Sequence, residues 1–166
     1  MSDSFGTPEQ LLDFAATRGF SATLHRADCP TPTVQIAAEA LGISVEAMTK
    51  NVVFLVKGQP VLVIARGISL VDKRVLARQC GVGQKKVKLA SAEKTLAATG
   101  FAAGCVPPFG HKTPLLTFID KAVCELERVY GGTSDPNVLI SLPLEQALAI
   151  TRGKVIEIAL KRKPKH

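Results

Sequence analysis

The chain has 166 residues, of which 46% are hydrophobic and 21% charged, so we expect one folded domain spanning residues 1–166 and no intrinsic disorder. It carries 21 Lys and Arg against 14 Asp and Glu, and this net charge of +7 favours a polyanionic partner. The start is polar, and no apolar run approaches the roughly 18 residues of a membrane span, so we expect a cytoplasmic protein without a membrane partner.

The first half of the chain predicts two helices, a strand and a hairpin. Thr7 and Pro8 begin a helix that Gly19 ends, and the short strand SATLHRA follows. TPTVQIAAEALG predicts a second helix, and SVEAMT adds a helical turn. The segment KNVVFLVKGQPVLVIARG has two β-branched apolar runs around Gly58 and Gln59, which predict a β-hairpin covered on both faces.

The second half alternates helices with short strands. SLVDKRVLARQCG predicts a helix with Ser69 as its N-cap, KKVKLA a basic strand, and SAEKTLAATG a helix that begins at Ser91. Strands are expected in LLTFID, around Arg128 and in NVLISL. Pro143 then opens a helix, KVIEIAL forms a last strand, and residues 160–166 are expected to be a basic, mobile tail.

This order of elements predicts the α+β class and not a doubly wound parallel sheet. Strands outnumber helices, and some strands are linked as hairpins. We expect a single domain in which a mixed, strongly curved and barrel-like β-sheet is flanked by helices.

Several familiar site motifs are absent from the sequence. GVGQKK, residues 81–86, follows a predicted helix and lacks the spacing of a phosphate-binding loop. The four cysteines form no C-x-x-C pair, and no histidine lies at zinc spacing from any of them. We therefore predict no metal ion and no cofactor. Cys105 and His111 leave a thiol–imidazole pair open as an alternative.

The most unusual segment is the loop TGFAAGCVPPFGHKTP, residues 99–114. Gly100 suits the end of a helix, but no turn rule requires Gly104, and a glycine can let backbone approach a ligand. Pro107 and Pro108 stiffen the chain, so little entropy remains to be lost on binding. Such a loop can line a pocket with its main chain, or it can be a structural crossover between strands.

Lys50 stands at the entry of an almost wholly apolar strand. Its side chain can reach outward to water, or its ammonium can point into a cleft and hold an anion as a point charge. The residues around it do not decide between these two interpretations.

The order of these segments resembles the YbaK family, which includes free-standing relatives of the editing insertion domain of bacterial prolyl-tRNA synthetase. The shared features are Lys50 before the first long strand, the helix SLVDKRVLARQCG, the loop TGFAAGCVPPFGH with its G-x-x-x-P spacing from Gly104, and the strand LLTFID. The similarity runs from about Thr23 to Ile158.

The resemblance implies hydrolysis of the ester of a misacylated tRNA, a mischarged tRNA(Pro), without a metal ion. It implies that Lys50 holds a phosphate of the terminal adenosine and that Gly104 and His111 are further catalytic positions. The substrate-binding positions that it implies are Cys105, Val106, Pro107, Pro108, Phe109, Gly110 and Asp120. The implied partners are the acceptor end of an aminoacyl-tRNA and prolyl-tRNA synthetase, and no DNA is expected.

Two other functions stay open. The chain could be a non-catalytic tRNA-binding module of a synthetase complex, or a thiol enzyme that uses Cys105 and His111. An aminoacyl ester is already activated, so positioning of a nucleophile and stabilisation of the oxyanion can supply much of the rate. The identity of the esterified amino acid does not follow from the sequence, because a pocket separates neighbouring side chains by only about 1–3 kcal/mol per methylene.

Overall fold

A computed structural model describes residues 6–160. The helices are α1 (Pro8–Thr17), α2 (Val34–Leu41), α3 (Lys73–Cys80), α4 (Ala92–Thr99) and α5 (Leu144–Thr151). The strands are β1 (Thr23–Arg26), β2 (Thr49–Val56), β3 (Gln59–Arg66), β4 (Val87–Leu89), β5 (Leu116–Asp120), β6 (Arg128–Gly131), β7 (Val138–Pro143) and β8 (Lys154–Ile156). Short 3₁₀ turns occupy Val45–Ala47, Gln84–Lys86 and Lys121–Glu125.

The strands form two open sheets, so the predicted barrel-like sheet is wrong. One sheet has the order β4-β2-β3-β5-β8 and the other the order β1-β7-β6. In the larger sheet β2 pairs antiparallel with β3 and β4, whereas β5 pairs parallel with β3 and β8, so the sheet is mixed as expected. The α+β class is confirmed, but neither sheet is closed or strongly curled.

The physical reason lies in the pairing of the late strands. β7 pairs with β6 on one side and with β1 on the other, so these strands do not extend the larger sheet. β2 meets β6 through side chains, since the Thr49 hydroxyl accepts from the Tyr130 N–H at 2.7 Å and donates to the Tyr130 carbonyl at 3.1 Å. The two edges of the larger sheet, β4 and β8, therefore never meet.

Both faces of the larger sheet are covered, as the apolar runs predicted. Alternate residues of a strand point to opposite faces, so Val53 and Leu62 pack towards the smaller sheet, while Phe54 and Val63 pack towards α3. Leu11 of α1 and residues of the smaller sheet complete the first core layer. The hairpin turns at Lys57 and Gly58, both with positive φ, one residue earlier than predicted.

Helix boundaries follow the sequence signals with one exception. Thr7 caps α1 in a complete capping box with Gln10. α3, however, begins after Asp72 and not after Ser69, because the Asp72 carboxylate accepts from the Arg74 N–H. Leu70 is consequently 61% exposed and outside the helix.

The end of the chain is only partly described. The predicted last strand is shorter than expected, although the Leu160 N–H donates to the Leu70 carbonyl at 2.6 Å. The rest of the predicted tail, residues 161–166, lies outside the described residues. Between residues 6 and 160, no helix combines the length and apolar character that crossing a membrane requires.

Candidate active site

A cavity of about 400 Å³ lies where the two sheets and α2 meet. Its wall includes Thr33 at the start of α2, Lys50 and Asn51 of β2, Gly104 and Val106 of the long loop, Gly131 at the end of β6, and the next residue, Gly132. Most of the remaining wall is apolar. Lys50 is the only ionisable side chain in the wall that the structure describes.

The cavity adjoins an uncovered stretch of the edge of β2. β4 pairs only with Phe54–Val56, and its continuation ends with the Ala90 N–H donating to the Val53 carbonyl at 3.0 Å. In an antiparallel pair, residues two apart present their backbone groups to the same side. The backbone of Asn51 therefore faces the uncovered part of the edge, next to the cavity.

Lys50 is half-buried, and burial lowers the pKa of its ammonium because it disfavours the charged form. No carboxylate forms an ion pair with it among the described residues. A partly desolvated cation without a protein counter-ion is suited to receive an anion. Lys50 and Asn51 both line the cavity, and as successive strand residues their side chains point to opposite faces of β2.

Gly104 occupies a tight turn within the loop. The Cys105 N–H donates to the Ala102 carbonyl at 2.9 Å, and Gly104 has φ +84°. This turn requires a residue that tolerates positive φ, so the glycine has a local explanation that the sequence did not suggest. A Cβ at Gly104 would nevertheless meet open space, which leaves room beside the loop backbone.

The base of the loop is closed by hydrogen bonds to α4. The Lys112 N–H donates to the Thr99 carbonyl at 2.9 Å, and the Thr113 hydroxyl donates to the Ala98 carbonyl at 2.8 Å. His111 Nε2 lies 2.7 Å from the Pro107 carbonyl, so the ring must donate its Nε2–H to that oxygen. These bonds, together with the prolines, hold the loop as a preformed unit.

Asn51 and the pair Gly131–Gly132 are site residues that sequence reasoning missed. Asn51 Nδ2 donates to the carbonyls of Val106 and Tyr130, both at 3.0 Å, and so ties the loop to both sheets. A Cβ at Gly132 would lie 2.4 Å from Cys105 Cα, and one at Gly131 would lie 2.7 Å from Asn51 Nδ2. The adjacent glycines after a strand were the available signal, since paired glycines there permit close backbone approach.

The predicted site residues divide into two groups in space. Lys50, Gly104 and Val106 line the cavity. The structure does not bring the remaining seven positions into its wall. Cys105 is half-buried, Pro107, Pro108 and Phe109 are buried, Gly110 and His111 face a separate depression, and Asp120 is buried at the end of β5.

Phe109 and Asp120 have structural contacts that explain their burial. Phe109 stacks on Phe14 of α1 with ring centroids 6.1 Å apart. Asp120 Oδ1 accepts from the backbone N–H groups of Ile158 and Ala159, which fastens the last described segment to β5. Their predicted substrate contacts stay predictions.

The environment of Cys105 and His111 favours two neutral groups. Burial raises the pKa of the Cys105 thiol, and burial also lowers the pKa of His111 despite the opposing effect of its bond to Pro107. A thiolate–imidazolium pair requires shifts in the opposite directions. This environment disfavours the thiol-enzyme alternative.

Stability is expected to fall as the pH drops below about 6.5. His25 and His111 are both partly or wholly desolvated, and the nearby Arg128 adds to the lowered pKa of His25, so each folded-state pKa lies below the reference value of 6.5. Between the two pKa values the unfolded chain therefore binds more protons than the folded chain. The stability that is present above the unfolded-state pKa is lost as the pH falls through the folded-state pKa. Urea unfolding at a series of pH values measures the effect.

The His111→Gln variant is the control, because its amide can donate to Pro107 without titrating. We expect a flatter pH dependence for it than for the parent. An unfolding free energy that does not change between about pH 7.5 and 5 would contradict the linkage argument.

Comparison with known proteins identifies the class. The sequence-family model of the aminoacyl-tRNA editing domain matches residues 28–150 of this chain. The Bacillus subtilis (strain 168) protein YwhH, itself uncharacterized, is 27% identical over 124 residues, which is 74% of this chain and 77% of YwhH.

Two solved structures share the fold over nearly the whole chain. One is of a protein described as a candidate trans-editing enzyme for prolyl-tRNA synthetase, with a TM-score of 0.83, 27% identity, and coverage of 93% of this chain and 99% of that one. The other comes from work on grafting linear epitopes onto scaffold proteins, with a TM-score of 0.83, 27% identity and coverage of 92% and 97%.

The fold and the matched segment define an editing enzyme that acts on aminoacyl-tRNA. The chain belongs to the aminoacyl-tRNA editing domain family. Its activity is that of an aminoacyl-tRNA deacylase, an ester hydrolase that contributes to translation fidelity. The resemblance drawn from Lys50, the long loop and the strand LLTFID is thereby confirmed.

Proposed function

We propose that the protein edits in trans: as one domain spanning residues 1–166, it removes the amino acid from a mischarged tRNA(Pro) in the cytoplasm, without a metal ion. The substrate enters by its acceptor end, and prolyl-tRNA synthetase is the proposed source of the error. The likeness to a protein described as a candidate trans-editing enzyme for that synthetase supports the choice of tRNA.

The observation that carries the proposal is the composition of the cavity wall. Lys50, the turn at Gly104 and the uncovered edge of β2 border the same space, and the described wall contains no carboxylate that would repel a phosphate. In the proposal the ammonium holds a phosphate near the terminal adenosine, and the aminoacyl group lies against the loop backbone at Gly104 and Val106, the two residues between Gly104 and Pro108 that line the cavity.

The proposed reaction is direct hydrolysis of the ester. A water oxygen attacks the carbonyl carbon, the bond from that carbon to the ribose oxygen breaks, and the ribose oxygen takes up a proton. Backbone N–H groups beside the cavity stabilise the oxyanion, and the loop backbone positions the water or a ribose hydroxyl that assists it. The cavity wall supplies positioning and charge and needs no side-chain nucleophile.

His111 and the buried members of the loop act indirectly in this proposal. His111 is a positioning residue, because its ring holds the Pro107 carbonyl. Pro107, Pro108 and Phe109 support the loop from behind, and Cys105 packs against the backbone of Gly132. Substitution of any of these residues is therefore expected to change kcat/KM by moving Gly104.

A deacylation panel tests the proposal. The full chain is incubated with tRNA(Pro) charged with proline, alanine, serine, threonine, cysteine or 2-aminobutyrate, and with alanyl-tRNA(Ala) as the matched control for the RNA. We expect at least one misacylated tRNA(Pro) to lose its ester far faster than the correctly charged one, and the rate to persist after treatment with a chelator. Tight binding of tRNA without loss of any ester would favour the alternative of a non-catalytic binding module.

A further inference from the structure

A group of lysines gathers at one end of the larger sheet, away from the cavity. Lys57 lies in the β2–β3 turn, Lys73 opens α3, and Lys85 and Lys86 lie in the 3₁₀ turn before β4; all four are exposed and line one open depression. We call these four residues the lysine cluster. The Lys57 N–H donates to the Lys86 carbonyl at 3.0 Å, which fixes the hairpin turn beside the 3₁₀ turn.

The charge of this cluster is not neutralised by the protein. No Asp or Glu occurs between residues 73 and 92, and none of the four lysines forms an ion pair in the part of the chain that the structure describes. At the opposite edge of the sheet, by contrast, Lys121 lies 4.0 Å from the Glu157 carboxylate. Repulsion among unpaired lysines has to be offset by a bound polyanion or by solvent.

β4 connects the lysine cluster to the cavity. Lys86 immediately precedes β4, Lys88 is exposed on it, and Leu89 and Ala90 at its far end line the cavity. Four residues of extended chain span about 13 Å. A stacked polynucleotide strand rises about 3.4 Å per nucleotide, so this distance corresponds to about four nucleotides.

We propose that the lysine cluster and Lys88 bind the phosphodiester backbone of the substrate RNA, whose 3′ end runs along β4 into the cavity. This inference rests on the proposed function, since it assumes that the terminal nucleotide occupies the cavity. The positive charges of the cluster attract the phosphates of the RNA strand that adjoins the terminal nucleotide. It supplies affinity and direction, while the cavity supplies the chemistry.

The chemistry of the surface favours a backbone contact over base recognition. Among residues 6–160, no aromatic side chain lines the depression, so the described surface offers no platform on which bases can stack. Lysine ammonium groups on flexible stems hold phosphates as point charges and read no base edges. We therefore expect binding that depends on salt and little on sequence.

The test compares two double variants of the full chain with matched charge loss. Lys85→Gln/Lys86→Gln removes two charges from the cluster, and Lys121→Gln/Lys154→Gln removes two from the opposite edge. The dissociation constant for uncharged tRNA(Pro) is measured across a range of salt concentrations, so the readout does not require hydrolysis. We expect the cluster variant to bind roughly tenfold more weakly at low salt, with a salt slope about 2 smaller, and the control to match the parent.

Kinetics and a second probe complete the test. For a misacylated tRNA the cluster variant should show a raised KM with an unchanged kcat, because no cluster residue touches the ester. Equal weakening by both double variants, or no change in either, would overturn the proposal. So would loss of binding to anionic lipid vesicles with unchanged binding of tRNA. If no ester is cleaved by the parent but the cluster variant alone loses tRNA affinity, the proposed hydrolysis fails while the RNA surface stands.

Discussion

Replacing Lys50 with alanine is expected to lower kcat/KM for deacylation by about 10²–10³-fold, because a charge pair formed on substrate binding loses one partner. The half-buried ammonium has no carboxylate partner among the described residues. In the protein without substrate, the charge therefore forms no ion pair that would stabilise the fold. We therefore expect the variant to be at least as stable as the parent. Deacylation rates and urea unfolding of the same preparation measure the two effects.

The Lys50→Arg variant separates charge from geometry. It keeps the positive charge but replaces a compact point charge with a planar, weakly hydrated group, so we expect activity between that of the parent and the alanine variant. Full activity of Lys50→Ala in a normally folded protein would contradict the phosphate contact. Lost activity together with lost stability would indicate a structural role for the lysine instead.

Replacing Gly132 with alanine is expected to lower the free energy of unfolding by about 2–4 kcal/mol and to abolish most deacylation. A Cβ there would lie 2.4–2.7 Å from the Cα, carbonyl carbon and oxygen of Cys105, and backbone atoms cannot move aside as a flexible side chain can. The loop would have to shift, and its bond from the Gly132 N–H to the Val106 carbonyl would weaken. Urea unfolding and the deacylation rate report the change.

Gly83→Ala and Gly104→Ala are the matched controls. A Cβ at Gly83 meets nothing within 4 Å and its φ is −70°, so alanine there should be neutral or slightly stabilising. At Gly104 the space is also open, but φ is +84°, so alanine should cost about 1–2 kcal/mol through backbone strain alone. If Gly132→Ala is no more destabilising than Gly104→Ala, close packing against Cys105 is not what requires the glycine.

Local signals predicted most of the helices and strands. Thr7 and Gln10 form the capping box, the left-handed Gly42 and Gly100 end α2 and α4, and the β-branched runs form the hairpin. These features depend on residues within a few positions of one another. Where two local signals competed, as Ser69 and Asp72 did for the start of α3, the sequence did not decide.

Some residues of the cavity wall were predicted, and the contacts that were missed join residues that lie far apart in the sequence. Lys50 and Gly104 stood out because each is unusual in its own segment, and both line the cavity. Asn51 did not stand out, because the carbonyls that it contacts are 55 and 79 positions away. The turn that explains Gly104 was missed for another reason, since Ala102 carries no turn signal.

The amino-acid sequence by itself determined the α+β class, the order of the elements and, through Lys50 and the loop from Gly104 to Pro108, the editing family. Only the tertiary structure decided that the strands form two open sheets, that Gly131 and Gly132 lie against the loop, and that His111 faces away from the cavity. Caps, turns and alternation depend on neighbouring residues, whereas sheet edges and cavity walls depend on backbone brought together from distant parts of the chain.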